Sequence, residues 1–154
     1  MRIIAGTHRR RQLVTPAGHS TRPMPDRLRE TLFDILNKRV LNRVFVDLYA
    51  GSGAVGFEAL SRGARKVIFV ENSHAAIQAL WKNISALGVQ DTCSVFASPT
   101  EKVLPSIDGE IYFIGAPYIF QRIRDLVVCA CASGNCSAYS DISGDQSISF
   151  SFRF

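Results

Sequence analysis

The chain has 154 residues, 47% of them apolar, and a formal net charge of +5 at neutral pH. That is enough chain for one domain with a sizeable core, and too apolar a composition for general disorder. No apolar run approaches the roughly 20 residues that a membrane helix needs, and no signal-peptide pattern follows Met1, so the expectation is a monomeric cytoplasmic protein.

The charge is unevenly placed. Residues 1–30 carry seven arginines (2, 9, 10, 11, 22, 27 and 29) against Asp26 and Glu30, while the remainder holds eleven residues of each sign. A basic segment on a neutral body suits a phosphate-backbone partner, and it equally suits a solvated arm with no partner. The cysteines, Cys93, Cys129, Cys131 and Cys136, do not show the paired spacing of a structural zinc site, and no metal is expected.

In chain order, Arg2–Gly6 and Arg11–Thr15 read as short strands of a hairpin with a basic tip. Pro16, Gly18, Pro23 and Pro25 then break the chain into a loop. Asp26 suits a helix N-cap, and Leu28, Leu32, Phe33 and Leu36 recur at helical spacing behind it. From Val44 strands and helices alternate. Val44–Tyr49 reads as a buried strand, about Ala54–Arg62 as a helix, and Lys66–Val70 as a second strand. Ile77, Leu80, Trp81, Ile84 and Leu87 make one face of the next helix, with Gly88 at its C-cap. Cys93–Ala97 is a third strand, Ser98-Pro-Thr-Glu101 a capped helix start, and Glu110–Ile114 a fourth strand. Such repeats predict a doubly wound α/β fold with a parallel sheet. The expected division is a basic arm over 1–40, a partial Rossmann-like domain over 41–130, and an atypical serine-rich tail over 131–154.

Gly51-Ser52-Gly53-Ala-Val-Gly56 follows a strand and opens a helix, and Glu71 ends the next strand. Glycines allow the tight turn and the close approach of a nucleotide, and a carboxylate at that strand end can accept hydrogen bonds from both ribose hydroxyls. NAD and S-adenosylmethionine both use this layout. Asp47, shortly before Ala50 and Gly51, favours S-adenosylmethionine, because a carboxylate gains nothing beside a pyrophosphate but suits a cationic sulfonium and amino-acid tail.

Arg2-Ile-Ile-Ala-Gly6, Arg9–Leu13, Thr21-Arg22-Pro23, Asp26-Arg27 with Arg29-Glu30, Leu32-Phe33, Asp47–Gly53 and Glu58–Ala64 together resemble the bacterial 16S ribosomal RNA guanine-N2 methyltransferase family. The resemblance runs from Met1 to about Tyr118. It implies a Rossmann-like S-adenosylmethionine-dependent methyltransferase fold, incomplete at the C-terminus, acting on a guanine amine in 16S ribosomal RNA or the assembling small subunit. It also implies that Arg2, Arg9, Arg10, Arg11 and Arg22 contact RNA, and that Asp47, Ala50, Gly51, Ser52, Gly53, Gly56, Glu71 and Ser98 surround the cofactor.

The chain departs from the family at two points. The fourth strand ends in Gly115-Ala116-Pro117-Tyr118, where the family has Asp-Pro-Pro-Tyr or its Asn variant. Tyr118 can stack on a flipped base and the Ala116 carbonyl can accept a hydrogen bond, but Gly115 offers no side chain to the target amine. Ala97-Ser98 stands where the family tends to have Gly-Asp. A non-catalytic RNA- or cofactor-binding remnant is therefore the alternative function.

Overall fold

The computed structural model describes residues 1–16 and 24–103, and the backbone of four later strands at 111–115, 127–132, 135–139 and 150–151. Apolar strand segments such as Val-Phe-Val-Asp-Leu need cover on both faces, and they form the centre of a sheet. Strands β1 (Val44–Leu48), β2 (Lys66–Glu71), β3 (Cys93–Ala97) and β4 (Ile111–Gly115) lie in the order β3-β2-β1-β4, all parallel. Beyond β4 the sheet continues with β5 (Val127–Ala132), β6 (Asn135–Tyr139) and β7 (Phe150–Ser151), each antiparallel to its neighbour. The expectation of a parallel sheet thus holds for the first four strands and not for the last three.

Helix α1 (Asp26–Leu36) buries Leu32, Phe33 and Leu36 as the spacing predicts. Its N-cap is Pro25 rather than Asp26, and no side chain caps it. The Asp26 carboxylate goes instead to two arginines, Arg29 at 3.0 Å and Arg2 at 3.6 Å.

Helices α2 (Ala54–Ser61), α3 (His74–Leu87) and α4 (Thr100–Val103) follow β1, β2 and β3. The buried face of α3 is turned from the expected one: Leu80 and Ile84 are buried, but their companions are Ala76, Ala79 and Asn83, and Trp81 is half exposed. Small alanines let the helix approach the sheet closely, and a large indole on that face would hold it away. Gly88 closes the helix in the left-handed conformation, at φ 69°.

The arm is not a regular hairpin. Only Arg2 and Gln12 pair as strand residues, with Arg10 N–H donating to the Ile3 carbonyl at 2.9 Å and Leu13 N–H to Met1 at 2.8 Å. The N–H groups of Ile4 and Ala5, which would extend a ladder, donate to the Glu58 carboxylate of α2 at 2.8 and 3.0 Å. Docking on α2 replaces strand pairing, and Ile3 and Leu13 enter the same core as Phe33, Phe45 and Phe57.

Candidate functional site

After β1 the chain turns sharply through residues 49–53 into α2. Ala50 N–H donates to the Val70 carbonyl at 3.0 Å, and Gly53 N–H to the Ala50 carbonyl at 2.7 Å, so the loop is fastened to the end of β2. The three glycines of the motif have different duties. Gly51 has φ +57°, and a Cβ there would meet nothing within 4 Å, so this glycine faces open space and leaves room for a ligand. A Cβ on Gly53 would press on Leu80 and Phe57, both at 2.5 Å. A Cβ on Gly56 would collide with the Phe69 ring, so Gly56 serves helix-to-sheet packing.

Glu71, at the end of β2, organises the loop. One carboxylate oxygen accepts from Gly51 N–H at 2.8 Å, and the other from Asn72 and Ser73 N–H at 2.8 and 2.9 Å. An ionised carboxylate offers about four acceptor positions, so three backbone bonds leave capacity for a hydroxyl donor. Glu71 borders a cleft of about 60 Å³ lined also by Tyr49, Asn72, Ser98 and Pro99. Tyr49 is half exposed and holds a left-handed φ of 59°, an uncommon backbone state for a non-glycine residue.

Asp47 lies beneath the loop, 4% exposed, and accepts a hydrogen bond from Gly56 N–H at 2.8 Å. Burial pushes its carboxyl up to about 8, the Gly56 bond opposes this, and the Glu71 charge adds to it. Ala50 and Ser52 are buried, and the Ser52 carbonyl accepts from Asn83 Nδ2 at 3.0 Å. Gly115, the last residue of β4, pairs with Leu48 and so stands at the same carboxyl end of the sheet. Ala116, Pro117 and Tyr118 lie outside the described residues, as does Arg22.

The basic arm is held by residues whose role the sequence did not disclose. Besides Ile4 and Ala5, Glu58 accepts from Arg62 Nε at 2.8 Å, and Arg29 Nε lies 3.8 Å away. Arg29 is fully buried, donates to the Arg2 carbonyl at 2.6 Å, and keeps its Nε without a hydrogen-bond partner. Ser61 accepts from His8 N–H at 2.9 Å and donates to the Ala5 carbonyl. Asn83 grips Val14 through both its backbone groups, at 2.8 and 2.9 Å, while holding Ser52, so it ties the arm to the glycine loop. The available signal was a polar residue set within an apolar helix face: Glu58 among Ala54-Val-Gly-Phe57 and Ala59-Leu60, and Asn83 beside Ile84.

Of the arginines expected to meet RNA, Arg9 and Arg10 are exposed. Arg11 donates to the Ala86 carbonyl at 2.7 Å, near the C-terminus of α3, and Arg2 faces Asp26. Among the described residues, no group of three His, Cys, Asp or Glu side chains is placed to hold a metal, and no helix is long and apolar enough to cross a membrane.

Residues 1–134 match the family described as Conserved hypothetical protein 95. YlbH of Bacillus subtilis (strain 168), a provisionally assigned rRNA methyltransferase, is 33% identical over 132 residues, covering 82% of this chain and 72% of that protein. Ribosomal RNA small subunit methyltransferase D of Escherichia coli (strain K12) is 44% identical over 87 residues, 56% of this chain and 44% of that one. Among solved structures, yhhF of Escherichia coli, a provisionally assigned methyltransferase, superposes with a TM-score of 0.62 at 40% identity, over 68% of this chain and 56% of that one. The chain thus spans about half the length of these Escherichia coli proteins.

Proposed function

The chain belongs to the Conserved hypothetical protein 95 family, and from that premise we propose that it is an S-adenosylmethionine-dependent RNA methyltransferase. The proposed acceptor is the exocyclic N2 of a guanine in 16S ribosomal RNA, free or in the assembling small subunit, and the place of action is the cytoplasm. The small-subunit methyltransferase named above supports the substrate class. In this reading residues 1–40 are the RNA-binding arm, 41–130 the partial Rossmann-like, cofactor-binding domain, and 131–154 an atypical tail.

The observation that carries the reading is the Glu71 cleft. Its carboxylate has acceptor capacity left after holding Gly51, Asn72 and Ser73, which suits the two hydroxyls of a ribose. Gly51 leaves the space above the loop open to the nucleoside, and Ser98 and Asn72 border the side where a base would lie. The cofactor supplies a methyl group on a sulfonium. The chain's own task is to hold the guanine amine in line and to accept its hydrogen bonds. Tyr118 would stack on the base, the Ala116 carbonyl would accept one N–H, and Pro117 would stiffen the turn.

Gly115 favours a second reading, in which the chain binds cofactor and RNA but transfers methyl slowly. An acid or amide at that position would accept from the amine, and its absence lowers the rate by about 10²–10⁴. The deciding experiment is transfer of a labelled methyl group to unmodified small-subunit particles, with the chain as it stands and with Gly115→Asp plus Ala116→Pro. The first reading predicts label in the particle RNA at a rate that the double substitution does not raise, and the second predicts a rate that rises by about 10²–10⁴ with it. Binding of NAD in preference to S-adenosylmethionine would overturn both.

A further inference from the structure

The amino-terminal end of the parallel sheet, opposite the glycine loop, gathers cations from three separate stretches of sequence. The turn Asn37–Val40 presents Lys38 and Arg39 to solvent, and the approach to β2 presents Arg65 and Lys66. Backbone bonds fix these stretches side by side. Asn42 N–H donates to the Gly63 carbonyl at 2.8 Å, Arg65 N–H to the Arg43 carbonyl at 2.9 Å, and Val44 lies opposite Lys66 in the β1–β2 register. The arm turn joins the same end, because Thr7 N–H donates to the Ser61 carbonyl at 2.8 Å, two residues before Gly63. Arg9 and Arg10 are exposed on that turn. Helix α2 sets the distance from the cofactor side: at 1.5 Å per residue, Ser61 is about 10 Å from the glycine loop along the helix.

Two features distinguish this face from scattered solvated charge. First, none of Arg9, Arg10, Lys38, Arg39, Arg65 and Lys66 makes an ion pair with a described residue. Among the described residues, the nearby acids are Glu58, buried against Arg29 and Arg62, Asp34, 3.9 Å from Arg62, and Asp91, in the turn before β3 at the same end of the sheet but in no ion pair with these cations. Second, Arg10 holds a left-handed φ of 68°, which disfavours an L side chain and would be easier for glycine or asparagine. An arginine there presents a cation at the turn despite the backbone cost.

We propose that Arg9, Arg10, Lys38, Arg39, Arg65 and Lys66 form one phosphate-binding face that grips ribosomal RNA away from the target guanine. This rests on the RNA-methyltransferase reading and adds to it the kind of substrate. Phosphate contacts position a nucleic acid without reading its sequence, and a helix of A-form RNA is recognised mainly by shape and backbone. A face at the far end of the sheet from the cofactor cleft engages a folded RNA long enough to reach both ends. A hairpin with too few base pairs to cover that distance cannot engage it fully.

The test is the fourfold variant Lys38→Gln, Arg39→Gln, Arg65→Gln, Lys66→Gln, whose exposed sites make no ion pair with a described residue. Binding to unmodified 16S ribosomal RNA is measured across a salt series, beside binding to a short guanine-containing hairpin. The salt slope should become shallower by about 3, at about 0.7–0.9 for each phosphate contact removed. Hairpin binding should change little, and the affinity for S-adenosylmethionine not at all. An unchanged slope in a variant whose parent binds the long RNA overturns the face and leaves the arm alone as the RNA contact. Loss of binding to assembling particles with binding to naked RNA intact also overturns it, and points to a ribosomal protein. A parent chain that binds S-adenosylmethionine but neither RNA overturns the RNA reading along with this face.

Discussion

Glu58 and Glu71 perform the same local act in two regions of the molecule. Each is a buried carboxylate that catches backbone N–H groups of a neighbouring segment: Ile4 and Ala5 for Glu58, and Gly51, Asn72 and Ser73 for Glu71. Their remaining surroundings differ. Glu58 is fully buried between Arg62 at 2.8 Å and Arg29 at 3.8 Å, so its charge is met within the protein. Glu71 has no cation partner among the described residues and borders the cleft. A buried carboxylate closed in by cations fastens one segment to another, whereas one left open toward a cleft is ready for a ligand. The arm and the glycine loop are therefore built by the same device, finished in one case and left open in the other.

Removing each carboxylate should separate the two roles. Glu58→Ala removes the only buried carboxylate beside Arg29 among the described residues, leaving it the half-exposed Asp26, and loss of one partner of a buried pair costs about 3–5 kcal/mol. Urea denaturation should show that loss, while the fraction that remains folded binds S-adenosylmethionine normally. A stability change below about 1 kcal/mol, the scale of an exposed pair, would mean that Glu58 is not the fastening of the arm. Glu71→Ala should reverse the pattern. Cofactor affinity falls by about 1.5–3 kcal/mol by calorimetry, the range for hydrogen bonds to a charged group, and NAD does not bind better than S-adenosylmethionine in either protein. Equal affinity in the variant would remove Glu71 from the binding site.

A smaller effect is expected where the glycine motif serves packing rather than ligand. In Gly56→Ala the new methyl meets the Phe69 ring, and overpacking of this kind costs about 1–3 kcal/mol. The loss should appear in the thermal midpoint, with little change in cofactor affinity measured well below it. A large drop in affinity at unchanged stability would mean that Gly56 faces the ligand after all.

The alternating strands and helices from β1 to β4 were legible because each apolar run is bounded by glycine, proline or a polar turn. The glycine motif with Glu71 was legible because strand, turn, helix and acid occur in a fixed order. The turned face of α3 was not: periodicity marks which residues can share a side, and it cannot say that Ala76 and Ala79 will be chosen over Trp81. The arm escaped for a related reason. Its short apolar alternation reads as a hairpin, and the partner that takes the N–H groups of Ile4 and Ala5 lies more than fifty residues away in sequence. The gathering of Lys38, Arg39, Arg65 and Lys66 likewise depends on the β1–β2 register, which a net charge near zero over residues 31–154 conceals.

Asp47 stands between the two glutamates in character, and its titration sharpens the comparison. It is buried like Glu58, yet it has no cation partner among the described residues, and burial raises its carboxyl from 3.8 to about 8. An acid with a raised folded-state value keeps its proton in the fold across a range where the unfolded chain has lost it. The associated stabilisation is whole below about pH 3.8, declines as pH rises, and is gone above about 8. Over that window the slope is at most about 1.4 kcal/mol per pH unit, the value for one proton. Asp47→Asn, which keeps an acceptor for the Gly56 N–H and cannot ionise, should flatten the pH dependence of the urea midpoint between about pH 5 and 8 relative to the parent. Ligand binding adds a second readout. A sulfonium cation nearby favours the ionised carboxylate, so S-adenosylmethionine should displace the proton and bind more tightly as pH approaches about 8. The demethylated product carries the same amino-acid tail without the sulfonium charge, so its affinity should rise less over the same range. The difference between the two profiles isolates the sulfonium and should vanish in Asp47→Asn. Identical profiles for both ligands in the parent would leave Asp47 as a clamp on the first turn of α2, closer in kind to Glu58 than to Glu71.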